Sequence, residues 1–236
     1  MKKLSIKSAR LISNLVLVAV LVALTLLCFV PQRVVYLSGG ESYAPYYSGD
    51  SSKEQVGLMF NVYEGTDVVN GILDELKVHN AKATFFVGGC WADDNAETLR
   101  RIVAEGHELG NHGYFHKNHK SLSSLDNQSE ITHCHEIVKG ITGVDMSLFA
   151  PPSGAFSVET LKVAESLKYK TILWTNDTID WRDSDINLLF SRATKNAASG
   201  TLILMHPKPH TLKVLPRIIK YYQGKGMACV TVSQCI

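Results

Sequence analysis

Charged residues and cysteines are scarce in this chain of 236 residues. Each shortage excludes some classes of protein. Only 19% of the residues are charged, whereas 45% are hydrophobic. This composition excludes a disordered or fibrous protein, because such chains lack the apolar residues of a packed core. The five cysteines form no C-x-x-C pair, and a domain of this size does not need disulfides. We therefore expect free thiols.

Acidic residues are absent from residues 1–33, which carry five basic groups. The rest of the chain holds the other 19 basic groups and all 22 acidic groups. This remainder is mildly acidic, which argues against a nucleic-acid partner because such binding depends on Lys and Arg contacts to phosphates.

Residues 11–30 form an uncharged, mainly apolar run. About 20 such residues span the hydrocarbon core of a bilayer. The basic residues before the run predict a cytoplasmic tail over 1–10, a membrane anchor over 11–30 and a domain outside the cell membrane. A cleaved signal segment is the alternative, but no A-x-A-like cleavage site follows the run. Residues 31–53 are rich in Ser, Gly and Tyr and are predicted to be an extracytoplasmic linker.

From residue 54 to 236, short apolar runs alternate with amphipathic segments. Strands are predicted over 56–62, 83–87, 107–110, 148–151, 171–174, 201–205 and 227–232, and helices near 67–80, 94–104, 121–140, 157–167, 186–198 and 211–223. Apolar strands that alternate with helices indicate a parallel sheet covered by helices. The fold class is therefore α/β, a distorted (β/α)7 barrel in one domain, which we expect to be a monomer.

Polar residues with catalytic chemistry follow several predicted strands, at the edge where barrel active sites form. His112 and His116 are four residues apart and follow the third strand, a spacing that suits a divalent metal such as zinc; the alternative is a pair of surface histidines. His206 ends the sixth strand, where an imidazole suits proton transfer. The segment Asp177-Thr178-Ile179-Asp180-Trp181 offers carboxylates to orient that imidazole.

Four motifs occur together in the order found in polysaccharide deacetylases with a NodB homology domain, the carbohydrate esterase family 4 type. They are His112-x-x-x-His116, Pro151-Pro152-Ser153-Gly154, Asp177-x-x-Asp180-Trp181 and Leu202-x-Leu204-Met205-His206. The chain resembles this family over residues 54–234, most closely its membrane-anchored, spore- or wall-associated members.

The resemblance implies a hydrolase that removes N-acetyl groups from an aminosugar polymer such as peptidoglycan or chitin. It implies one divalent metal ion, with zinc preferred over cobalt, nickel or manganese, held by an Asp and two His that match His112 and His116. His206 matches the general acid, and Asp177 matches the residue that orients it. The Pro152-Ser153 motif matches the oxyanion donor, and Trp181 and Leu204 match the apolar wall for the acetyl methyl group.

The first motif departs from the family pattern. The family sequence Thr-Phe-Asp-Asp-Gly aligns with Met59-Phe60-Asn61-Val62-Tyr63, so the base Asp is replaced by Asn61 and the metal-binding Asp by Val62. The Arg that pairs with the base is replaced by Ala150. Glu64 is a candidate third metal ligand if the preceding residues bulge; otherwise it is a loop residue facing solvent.

Two functions follow from these matches and departures. The first is a metal-dependent deacetylase of a cell-wall glycan with weak or altered activity. The alternative is an inactive deacetylase-like domain that binds N-acetylated wall glycan or a protein partner. Retention of His112, His116, Asp177 and His206 favours the enzyme, whereas Asn61, Val62 and Ala150 favour the binding protein.

Overall fold

The structure, a computed structural model, describes residues Tyr43–Ile236. In this part of the chain the strands are β1 (Gln55–Val62), β2 (Thr84–Val87), β3 (Glu108–Asn111), β4 (Leu148–Phe149), β5 (Lys170–Thr171), β6 (Asn176–Asp177), β7 (Leu202–Met205) and β8 (Ala228–Val230). The helices are α1 (Thr66–Val78), α2 (Gly89–Asp94), α3 (Ala96–Ala104), α4 (Ser124–Thr142), α5 (Val158–Ser166), α6 (Ile186–Ala193), α7 (Pro209–Gln223) and α8 (Val232–Cys235).

The predicted tail over 1–10 and membrane anchor over 11–30 lie outside the described residues. Within residues 43–236, no helix is both long enough and apolar enough to cross a bilayer. The four cysteines of this part are free thiols, as expected.

All strand pairs in the described sheet are parallel, which confirms the α/β fold class. The order is β5-β4-β3-β2-β1-β7-β6, and β8 pairs with the first residues of β1. The sheet is curled, but no pairing between described residues joins its two ends, β5 and β6. It has eight strands rather than the predicted seven, because the two-residue strand β6 pairs with β7. The described sheet is therefore a curled, parallel half-barrel.

The segment before β1 packs against the domain, which corrects the predicted linker boundary. The backbone of Tyr46 donates to Thr171 O at 2.9 Å and accepts from Leu173 N at 2.8 Å, so it extends the sheet beside β5. Gly49 N–H donates to Gly200 O at 2.7 Å. The domain therefore includes residues 43–53, which we had assigned to the linker over 31–53.

Side chains alternate across β1 and so divide between the two faces of the sheet. Leu58, Phe60 and Val62 are fully buried in the main core between the sheet and the helices. Met59 belongs to a smaller cluster on the inner face, and Asn61 follows it on that face. Because of this alternation, the Asn61 side chain lies on the inner face of the curled sheet, and the Val62 side chain packs against the helices.

Helix α4 lies against the end of β3, where the two predicted metal ligands begin. It begins after Ser123, whose hydroxyl accepts the Asp126 N–H, and it ends at Gly143, whose φ of 75° is readily adopted only by glycine. Its buried positions Asn127, Glu130, Ile131, Cys134 and Val138 repeat at helical spacing. The polar residues of this face, Asn127 and Glu130, contact the loop after β3.

Candidate active site

A cleft of about 600 Å³ opens at the carboxyl ends of the strands. Of the ten predicted site residues, all except Pro152 line it: Asn61, Glu64, His112, His116, Ser153, Asp177, Trp181, Leu204 and His206. The other lining residues are Tyr63, Trp174, Pro207 and Lys208. The parallel strands thus bring the separate motifs to one edge, as predicted.

His112 is 2% exposed, and its orientation is set by a single hydrogen bond. Its Nδ1 lies 2.7 Å from the carbonyl oxygen of Ala150, the residue at the position of the family's arginine. A carbonyl only accepts hydrogen bonds, so Nδ1 carries the proton and Nε2 is left as the acceptor. Burial, with a smaller contribution from His116, lowers the pKa of His112 to about 3. The ring is therefore neutral at pH 7 and offers a lone pair.

His116 lies beside His112, with the two ring centroids 5.1 Å apart. Its φ of 55° lies in the left-handed region, which is uncommon for a residue with a side chain. Burial lowers the pKa of His116 as well. The ring of Tyr63 lies 5.1 Å from that of His116 on its other side. The structure thus brings together the two predicted imidazole ligands.

Glu64 does not join the two imidazoles in this structure, and its role as a third metal ligand stays a prediction. Its carboxylate pairs with Lys208 Nζ across the cleft mouth. The hydrogen bond from Lys208 lowers the pKa of Glu64. Among the described residues, no group of three or more His, Cys, Asp or Glu side chains is arranged to hold a metal ion.

The donors present do not fit the predicted metal ion. A catalytic zinc site has three protein ligands in addition to water or substrate. Here two neutral imidazoles are present, and the position of the family's metal-binding Asp is occupied by Val62, which is fully buried in the main core. An isopropyl group in that layer supplies neither a ligand nor a negative charge.

Asn61 is 5% exposed at the floor of the cleft, and its side-chain oxygen is buried without a hydrogen-bond partner in the structure. A buried polar atom without a partner is costly, typically by about 1–3 kcal/mol. Asn61 lines the cleft, so a bound ligand with an N–H or O–H group would satisfy this acceptor. An amide has no basic pKa, so Asn61 does not replace the base that the family has at this position.

His206 is oriented by Asp180, which corrects the predicted role of Asp177. His206 Nδ1 lies 2.7 Å from Asp180 Oδ1, and His206 N–H donates to Asp180 Oδ2 at 2.7 Å. Thr211 Oγ1 donates to the same Oδ2 at 2.6 Å. Burial opposes the charged form of Asp180, but the hydrogen bonds from His206 and Thr211 outweigh it and lower the pKa of the carboxyl group.

Asp177 lines the same cleft but has a different contact. Its Oδ1 accepts the Ile179 N–H at 2.8 Å, within a turn where Ile179 has a φ of 56°. Burial raises the pKa of Asp177 above its usual value. The turn places Asp180, three residues later, under the His206 ring and leaves Asp177 beside the cleft. The His210 ring contacts the Asp180 carbonyl at 2.7 Å and supports this turn from α7.

The remaining predicted residues form the wall of the cleft. Trp181 is 57% exposed, and Leu204 is buried on the inner face. Ser153 has a φ of 57° in a short 3-10 turn, and Pro152 is buried beneath it. An exposed indole beside an apolar surface suits contact with a sugar ring or a methyl group. The role of the Ser153 N–H as an oxyanion donor stays a prediction.

Sequence reasoning missed two contacts that shape the cleft. Lys208 pairs with Glu64, which lies 144 positions away, so no local sequence pattern connects the two residues. Glu130, in α4, accepts backbone hydrogen bonds from the loop that carries His116. A buried position on a helix face is the only sequence signal for Glu130, and it does not identify the partner.

The chain is similar to deacetylases and to a pseudoenzyme. A family model described as polysaccharide deacetylase matches residues 48–172. The protein YlxY of Bacillus subtilis is 34% identical over 190 residues, which cover 80% of this chain and 60% of YlxY. A peptidoglycan-N-acetylglucosamine deacetylase of Bacillus cereus is 32% identical over 197 residues, which cover 81% of this chain and 72% of the relative. The chain therefore spans less than two thirds of YlxY.

A solved structure resembles both the fold and the sequence. The wild-type CE4 family pseudoenzyme of Bacillus anthracis superimposes with a TM-score of 0.80 at 35% identity, covering 83% of this chain and 69% of that one. A mutant of the same protein, described as having restored enzymatic activity, also gives a TM-score of 0.80, at 34% identity.

Proposed function

Because this chain belongs to the polysaccharide deacetylase family, we propose that its cleft binds an N-acetylated sugar of a cell-wall glycan without effective hydrolysis. The observation that carries this proposal is the end of β1, where an amide and an isopropyl group replace the two carboxylates of the family motif. Asn61 offers an unpaired acceptor to the ligand, whereas Val62 is buried away from the cleft.

The chemistry of the other lining residues supports glycan binding. An acetamido group needs an acceptor for its N–H, donors for its carbonyl oxygen and an apolar surface for its methyl group. Asn61 supplies the acceptor, Lys208 and the Ser153 backbone supply donors, and Leu204 with Trp181 supplies the apolar surface. The relative from Bacillus cereus is named for a peptidoglycan sugar, which supports peptidoglycan as the polymer.

A weak deacetylase is the second candidate, and the His206–Asp180 pair favours it. A binding protein has no evident need for an imidazole held by a buried carboxylate, whereas a leaving amine needs a proton donor. The pseudoenzyme neighbour with a mutant of restored activity supports the idea that this kind of site lies close to a catalytic one. We also propose that the curled sheet corresponds to the distorted (β/α)7 barrel of the family, with Tyr46 paired beside β5 at one end of the sheet.

The test measures binding and hydrolysis with the same ligand. The full chain is titrated with the β-1,4-linked pentamer of N-acetylglucosamine, and cellopentaose serves as the matched control because it carries a hydroxyl where the pentamer carries acetamide. We expect binding of the acetylated pentamer only, with acetate release at background. Acetate release that rises with added zinc or cobalt supports the second candidate, and absence of binding contradicts the glycan proposal.

We also propose that the domain is held outside the cell membrane by residues 11–30. The support is the uncharged run, preceded by basic residues and followed by a chain that carries all 22 acidic groups. Protease added to intact protoplasts should remove the domain. Protection of the domain until the cells are lysed would contradict this orientation.

A further inference from the structure

Glu130 is a buried carboxylate to which the proposed function gives no role. It is 3% exposed on α4. Its Oε2 accepts the backbone N–H groups of Tyr114 and Phe115 at 2.9 and 2.7 Å. Its Oε1 lies 3.0 Å from Lys117 Nζ. One side chain thus contacts three of the four residues from 114 to 117, and the fourth is His116.

The segment that Glu130 holds needs an external constraint. His116 has a φ of 55°, and a non-glycine residue persists in this region only when the surrounding structure holds it there. Gly113, which precedes the segment, has a φ of 71°, and a side chain at this position would lie 2.9 Å from His119 Nε2. Two left-handed residues therefore flank the two backbone groups that Glu130 contacts, and the backbone alone does not favour this shape.

Other residues of α4 hold the two ends of the same loop. Asn111 Nδ2 donates to Ile131 O at 2.8 Å, at the start of the loop. Asn127 Oδ1 lies 2.8 Å from His119 Nδ1, at its end. Glu130 contacts the middle. Neutral amides serve at both ends, whereas the middle has a charged group, which is more costly to bury.

The charge at the middle has a geometric reason. Two consecutive backbone N–H groups and an ammonium group converge there, and a carboxylate accepts from all three, with shorter and stronger bonds than a neutral acceptor makes. We propose that Glu130 is a positioning residue of the cleft, which holds the 114–117 segment so that His116 keeps its place beside His112. The proposal concerns geometry and applies whether the cleft binds or hydrolyses glycan.

The test replaces Glu130 and observes His116 directly. The full chain with labelled histidines is compared with Glu130→Gln and Glu130→Ala by the NMR signals of the imidazole rings, and with Glu136→Gln as a control at an exposed position of the same helix. We expect the His116 ring signals to move in both Glu130 variants, and less in Glu130→Gln because its amide oxygen still accepts one hydrogen bond. The signals of Glu136→Gln should match those of the wild type.

Affinity for the acetylated pentamer provides a second readout. We expect a loss of about tenfold in Glu130→Ala, equivalent to 1.4 kcal/mol of binding free energy, with partial rescue in Glu130→Gln. Unchanged His116 signals in a folded Glu130→Gln or Glu130→Ala chain would overturn the proposal. If the wild-type chain binds no pentamer, the proposed function fails, and the ring signals alone decide the role of Glu130.

Discussion

The His206 imidazole and the Asp180 carboxylate are joined by two hydrogen bonds of 2.7 Å, one from the ring Nδ1 and one from the backbone N–H of the same histidine. The carboxylate therefore fixes both the ring and the strand end that carries it. Asp180 is 1% exposed, so its carboxylate is shielded from solvent. The other ring nitrogen of His206, Nε2, is left available to a ligand in the cleft. The pair also contributes to the stability of the folded domain.

Asp180→Asn should destabilise the domain by on the order of 3 kcal/mol at pH 7, because it removes one partner of a buried pair. The folded-state pKa of Asp180 lies below its unfolded value. Its contribution is therefore complete above the unfolded pKa of about 3.9 and is lost as the pH falls through the folded pKa. Denaturant unfolding of both chains from pH 7 to pH 3 should show the difference shrinking only below about pH 4.

Asp185→Asn is the matched control for that experiment. Asp185 caps α6 at an exposed position, and Asn is an equally good cap, so its stability should change little. An Asp180→Asn chain as stable as this control at pH 7 would contradict the assigned role of the pair.

Val62→Asp should lower stability by on the order of 3 kcal/mol without metal, because it places an unpaired carboxylate in the main core. Val62→Thr, similar in shape but uncharged, should cost less. Zinc should not stabilise the Asp variant selectively, because residue 62 packs in the helical layer and does not line the cleft with the two imidazoles. Melting curves with and without zinc measure both effects, and a zinc shift that is larger in the Asp variant by about 2.7 kcal/mol at 100 times Kd would contradict this placement of residue 62.

Asn61→Asp should raise acetate release from the acetylated pentamer, because it restores a carboxylate at a position that lines the cleft. Burial at this position raises the pKa of a carboxyl group toward the range of a general base, and a positioned base contributes about 10²–10⁴-fold to rate. The measurement is acetate released over time. If the Asn61→Asp chain binds the glycan but releases no acetate, the second candidate function, weak deacetylation, is contradicted.

Glu64→Gln should leave the affinity of the chain for zinc unchanged and should reduce stability by less than about 1 kcal/mol, since an exposed ion pair contributes little. Lys208→Met, which removes the other partner of the same pair, should have a similarly small effect on stability. Calorimetric titration with zinc shows whether Glu64 binds the metal or only pairs with Lys208. Loss of zinc binding in Glu64→Gln alone would restore this residue as a metal ligand.

Trp181→Ala should weaken binding of the acetylated pentamer by about tenfold, or 1.4 kcal/mol, with little effect on stability because the indole is 57% exposed. A sugar ring packed against the indole would lose that contact surface. Leu188→Ala is the control, since Leu188 is an exposed apolar residue that does not line the cleft. Equal affinities for the two variants would show that Trp181 is not part of the glycan site.

The sequence by itself determined which residues reach the site. Apolar runs that alternate with amphipathic segments require parallel strands covered by helices, and parallel strands bring their carboxyl ends to one edge. His112, Asp177 and His206 follow different strands and were therefore predicted to meet there. The replacement of two family carboxylates by Asn61 and Val62 was also visible in the sequence, because it depends only on alignment within one motif.

The tertiary structure decided which of these residues contact one another. Asp177 ends β6 and Asp180 lies three residues later, and the left-handed Ile179 between them directs Asp180 to His206. Glu64 was within sequence reach of the two imidazoles, but its partner is Lys208, 144 positions away. Periodicity in the sequence predicts the face and the edge of the sheet where a side chain lies. Pairing across loops depends on backbone angles and on competing partners that are distant in sequence.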